Sequence, residues 1–174
     1  MRTTRLLSVV LTAVALAAPL TVTGCGGSQA NPKTAAIKPG NLPAGATWDG
    51  VYFNPIWGYL HIVADGNSFK GKWERPDKSA WGEMHGELTG DVARFDWVEH
   101  KAGMVGPSAT VQGKGYFRYV QPPGDNVDDR LKGEWGFEDA EVGGGDWDCV
   151  KQRNQKPDLN SIHGESESGV GGWH

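Results

Sequence analysis

Three groups of side chains in this 174-residue chain could do chemistry. Glu83, His85 and Glu87 fall at i, i+2 and i+4 of one alternating stretch, so in a strand they share a face. Two carboxylates and an imidazole are ligands for a divalent metal, and His61, or His100 beside Glu99, could add another. Three side chains along one flat strand converge poorly on an ion, so a solvated outer face is the favoured reading, with Met84 and Leu88 directed inward. Asp125, Asn126, Asp128 and Asp129 crowd one loop and offer oxygen ligands for calcium, but without the spacing and closing Glu of an EF-hand; a polar turn is favoured. Asp146 and Asp148 flank Trp147 on one face, about 6.5–7 Å apart by strand rise, a separation suited to inverting glycoside hydrolysis. Any two carboxylates at i and i+2 meet that test; an envelope hydrolase, or a metal-dependent enzyme using carboxylates of the β domain, is the competing reading. Gly-x-Ser-x-Gly is absent, and Cys149, in phase with Trp147, reads as a small buried hydrophobe. No metal and no cofactor is expected.

The remaining candidates are tryptophans, of which the chain has 8. Trp48, Trp57, Trp73, Trp81, Trp97, Trp135 and Trp147 exceed what one small core needs. Cavity-lining indoles stack on sugars and other flat ligands, and Trp is favoured where one edge stays wet. Trp57, Trp73, Trp97 and Trp135 are therefore candidate ligand-binding residues. Trp57 follows Pro55-Ile56 near a strand start and is expected at the mouth of a barrel, where ligand sites occur.

The elements that must position these groups are strands. Apolar and polar residues alternate over 48–54, 57–64, 68–74, 81–89, 92–99, 109–120, 130–138 and 146–151, with turn signals between them such as Asp65-Gly66-Asn67, Gly90-Asp91 and Pro122-Pro123-Gly124-Asp125. About eight strands at this spacing predict an all-β fold, an antiparallel up-and-down meander closing into a small barrel. One face repeatedly combines glycine with large rings: Phe69, Gly71 and Trp73; Gly113, Gly115, Phe117 and Tyr119; Leu131, Gly133, Trp135 and Phe137. Glycine in a strand costs about 0.5–1 kcal/mol against alanine, so its recurrence needs a cause. Space for facing indoles and phenyl rings is the simplest, since small barrels fill their interiors by alternating small and large residues.

The hairpin Gly50-Val51-Tyr52-Phe53-Asn54 through Gly58, the Asp65-Gly66 turn and Phe69-Lys70-Gly71-Lys72-Trp73 resembles the first hairpin of avidin-like barrels, with elements shared by lipocalin-like ones. The resemblance covers about 25 residues at the strand lengths of a hairpin and implies architecture. By the match, Asn54 would stand where avidins place a ligand-contacting Asn.

At the N-terminus, Arg2 and Arg5 precede an apolar run from Leu6 to Leu20, short for a membrane span and suited to a secretory h-region. Val22-Thr23-Gly24-Cys25 resembles a bacterial lipobox. The resemblance implies that residues 1–24 are a lipoprotein signal peptide and that Cys25 carries a diacylglyceryl thioether as first residue of the mature chain. Several acyl chains hold a protein at a membrane far better than one. Residues 25–46, with three prolines and little apolar bulk, read as a flexible tether, 47–150 as the barrel domain and 151–174 as a disordered tail.

Net charge is -4, from 17 Lys plus Arg against 21 Asp plus Glu, which makes nucleic acid a poor partner. The expectation is a cell-envelope lipoprotein, held by its N-terminal lipid and at the outer membrane if the host has two membranes. It would act as a non-enzymatic binding or interaction module for a glycan, a small apolar ligand or an envelope protein. A purely structural surface lipoprotein is the further alternative.

Overall fold

Residues of period two need two faces, and the chain provides them in nine antiparallel strands. In a computed structural model, which describes residues 33–162, these are β1 (Gly50–Asn54), β2 (Gly58–Asp65), β3 (Ser68–Glu74), β4 (Ala80–Thr89), β5 (Val92–Lys101), β6 (Thr110–Val120), β7 (Arg130–Phe137), β8 (Gly145–Asp146) and β9 (Cys149–Lys151). Each of β1 to β7 pairs with the next, and β9 pairs with both β7 and β1. Eight strands thus close into a barrel, as the alternation predicts. The short β8 extends the line of β9 beside β7. Between them the Trp147 N–H still reaches the Gly133 carbonyl at 2.9 Å, so the last strand is one track broken for two residues.

The interior is made of aligned rows. Phe69, Gly86, Phe95, Gly115 and Trp135 are successive partners across β3 to β7, rings alternating with bare backbone. A Cβ on Gly82 would stand 2.1 Å from the Trp73 ring, and one on Gly115 2.7 Å from the Phe95 ring. The missing side chains do make room for rings, each supplied by a neighbouring strand. Glycine has a second use: a Cβ on Gly86, Gly113 or Gly133 would lie 2.0, 1.9 or 1.9 Å from a carbonyl oxygen of the chain opposite, so these positions also let strands approach closely.

The connections lie at two rims. Residues 55–57, 75–79, 102–109 and 138–144 join strands at the upper rim; 66–67, 90–91 and 121–129 join them at the lower. The lower rim is closed by Lys151, which lies 5.4 Å from the ring centroids of both Tyr52 and Tyr119, and by Trp48, whose ring meets Tyr119 edge-on.

Two segments expected to stand free are held on the wall instead. Part of the expected tether, residues 33–46, has no regular structure but runs along the barrel as a strap. Asp91 accepts the Gly40 N–H at 2.6 Å, the Lys38 carbonyl accepts from Arg118 at 2.7 Å, the Ala35 N–H donates to Glu141 at 2.9 Å, and the Lys33 carbonyl accepts the Glu141 N–H at 2.8 Å. Hydrogen bonds to buried or half-buried side chains and to the barrel's backbone hold it, and composition cannot reveal these. At the other end of the domain, the Gln152 N–H donates to the Val51 carbonyl at 2.8 Å. The Asp158 N–H reaches His61 Nδ1 at 3.0 Å, and Ile162 is buried. The expected tail therefore covers β1 and β2 as far as the structure describes it.

Candidate functional site

The five residues singled out as ligand-binding come together behind the upper rim. Asn54 ends β1, and its Oδ1 accepts the N–H groups of Ile56 at 2.7 Å and Trp57 at 3.0 Å. Its Nδ2 donates to the Asp148 carbonyl at 2.6 Å. Every polar atom of that amide therefore serves the turn and its tie to the last strand, and it is this turn that drops Trp57 into the mouth. Trp57 packs on Trp147 at 4.7 Å and edge-on against Trp135 at 5.4 Å. Trp73 meets Trp147 at 5.0 Å, and Trp97 meets Trp135 at 5.5 Å. Trp57, Trp73 and Trp97 are buried and Trp135 is half-buried. A ligand entering here would have to displace rings.

Two residues that the sequence reading did not select complete this chamber. Arg75, from the β3–β4 connection, lies over the Trp57 ring at 4.6 Å and forks onto Glu99 through two bonds of 2.9 Å. The Glu99 side chain is 9 % exposed and that of Arg75 29 %, so the pair forms the lid of the barrel. The signal was available: Glu99 continues the inward phase of Phe95 and Trp97, where a carboxylate needs a partner. Deeper in, the Trp73 and Trp147 indole N–H groups are buried without an acceptor. Such orphaned donors cost about 1–3 kcal/mol each, which the surrounding ring packing offsets.

The other candidate constellations face outward. Glu83, His85 and Glu87 are all exposed, each opposite residues of the neighbouring ladders: Glu83 opposite Lys72, His85 between Lys70 and Asp96, Glu87 opposite Arg94. Among the described residues no three His, Cys, Asp or Glu side chains are grouped to hold a metal ion. Asp146 and Asp148 are exposed on the solvent side while Trp147 points inward; Asp148 accepts from the Gly133 N–H at 3.3 Å and lies 3.9 Å from Lys132. In the 121–129 loop, Asp128 pairs with Arg153 and Asp129 accepts from the Tyr119 hydroxyl at 2.6 Å. Cys149 is buried beside Leu131, and burial pushes its thiol well above the usual range, which makes it a poor nucleophile. Cys25 lies outside the described residues.

The outer wall does offer a recess. A groove of about 550 Å³ opens over β3 to β6, with Lys70, His85 and Glu87 along one side and Arg94, Asp96 and Glu141 along the other. Lys114 pairs with Asp96 at 2.5 Å, and Arg94 pairs with Glu141, so the far bank is a fixed charge network. Its volume falls in the range of small-ligand sites, but such sites are usually apolar with a few polar groups, and this one is charged with both signs. Comparison of the chain with protein-family models, with curated proteins and with solved structures finds no match in any of the three.

Proposed function

We propose that this protein is a cell-envelope lipoprotein, held by lipid on Cys25, whose barrel is a non-enzymatic interaction module. Its partner is a glycan or an envelope protein met on the outer wall. One observation carries the choice of surface: rings fill the interior, while the wall bears an open, doubly charged groove beside the strap. Packed rings leave a small apolar ligand no space, whereas fixed charges of both signs suit hydroxyl-rich or polar partners through hydrogen bonds.

Two experiments test the parts separately. Metabolic labelling with an alkynyl fatty acid is expected to mark the wild type and not Cys25→Ala; equal labelling removes the anchor. Glycan fragments and envelope proteins are then presented to the wild type, to a Lys70→Glu/His85→Ala variant and to Lys132→Glu, which alters exposed β7 away from the groove. Binding lost in the first variant alone supports the groove. Binding unchanged in both overturns it.

A further inference from the structure

The apolar side chains left in solvent are unevenly placed. Ile56 is 64 % exposed, Met104 46 %, Val105 94 % and Phe137 53 %, and all four stand at the upper rim, in or beside the connections 55–57, 102–109 and 138–144. The lower connections carry Asp91, Asp125, Asp128 and Asp129, with Arg118 paired to Asp91, Arg153 to Asp128 and Lys151 beside the tyrosines of that rim; there Val127 is exposed, and Val63 near the end of β2. The strap has a direction that matches this polarity. It leaves the lower rim beside Asp91, passes Arg118 and then Arg94, and at Lys33 is bonded to Glu141, which lies on the wall beside Arg94 within the connection 138–144 that starts from the upper rim. Each residue of chain spans at most about 3.6 Å, so the stretch from Cys25 to Lys33 reaches no further than about 29 Å.

We infer that the barrel rests upper rim down on the bilayer that holds its lipid, with Ile56, Met104, Val105 and Phe137 entering the interface. This rests on the reading of Cys25 as the lipid-bearing residue. The rim that carries four exposed apolar tips is the one suited to enter the interface, and the strap's described end is bonded to a connection of that rim. Charge at the upper rim is mixed, with Lys78 and Lys101 beside Asp77, Glu138 and Asp139, so apolar insertion is the driving contact. The arrangement leaves the wall groove facing sideways along the membrane, open to a partner.

The test uses the full mature lipoprotein in vesicles of phosphatidylethanolamine and phosphatidylglycerol. Single variants Ile56→Cys, Val105→Cys and Val127→Cys are labelled with an environment-sensitive fluorophore; Cys149 is buried in the folded protein and Cys25 is consumed by lipid. Positions 56 and 105 are expected to show blue-shifted emission that lipid-borne spin labels quench, and position 127 neither. Protein that floats with vesicles while 105 and 127 respond alike overturns the orientation and leaves the anchor standing. Protein that does not float overturns both. Should Val105→Cys fold poorly, Met104→Cys reads the same loop.

Discussion

At the scale of single residues, space decides more than propensity. Alanine in place of a strand glycine ordinarily gains about 0.5–1 kcal/mol. At Gly82 the added Cβ would meet the fully buried Trp73 ring at 2.1 Å, and overpacking of that kind costs about 1–3 kcal/mol. Gly82→Ala is therefore expected to lower the urea midpoint; a rise would show that the ring can yield and that space is not why glycine stands there. The lid gives a second test. Arg75→Ala leaves the buried Glu99 carboxylate unpaired, a change expected to cost up to about 3 kcal/mol, against no more than about 1 kcal/mol for Lys114→Ala at the exposed pair with Asp96. Arg75→Leu/Glu99→Leu should recover most of the loss in a double-mutant cycle, because replacing both partners removes the buried charge. Equal costs for the two lysine and arginine variants would place Arg75 among ordinary surface ion pairs.

At the scale of elements, the strap is the piece most open to perturbation, since a few separate hydrogen bonds to side chains and backbone hold it. Asp91 accepts the Gly40 N–H and also pairs with Arg118. Asp91→Ala is expected to speed amide exchange at Gly40 and at position 91 itself while exchange in β2 to β4 stays slow; uniform acceleration would mean that the strap is integral to the core. The strands were legible from alternation, and residues 68–74 agree end for end with β3. Short-range periodicity carries that much because each strand has one face to bury. The strap was not legible, because its partners Asp91, Arg94, Arg118 and Glu141 are distant in sequence and its own residues have no period. The two-residue break at Trp147 and Asp148 escaped for a related reason: the alternation runs through it unbroken. The chamber was half legible, its rings from their phase, its Arg75–Glu99 lid not.

At the scale of the whole molecule, closure of the lower rim makes stability depend on pH. Tyr52 and Tyr119 are pushed well above the usual phenol value of 10.0, first by burial, and Tyr119 also by the Asp129 carboxylate that it bonds. Burial raises the Cys149 thiol in the same direction from its usual 9.0. These groups keep protons in the folded protein that the unfolded chain releases, so their stabilisation is complete below about pH 9 and is lost progressively as pH rises past the ordinary values. Lys151 is displaced the opposite way, below 10.5, by burial; it binds fewer protons when folded, and its own contribution improves with pH up to that value. Burial also raises Tyr116, and the bond to Asp96 raises Lys114; five groups against one make the fall dominate. The urea midpoint is expected to decline from pH 9 upward, and less steeply in Tyr119→Phe; a flat profile to pH 11 would remove the phenols from the account. The indoles of the chamber have an optical consequence. Trp147 sits between Trp57 and Trp73 at fixed angles of 30° and 78°, close enough for their electronic transitions to mix. The native protein should therefore show a paired positive and negative dichroic band in the far ultraviolet, vanishing on unfolding, an intrinsic spectroscopic signature that reports the integrity of the barrel without any attached dye.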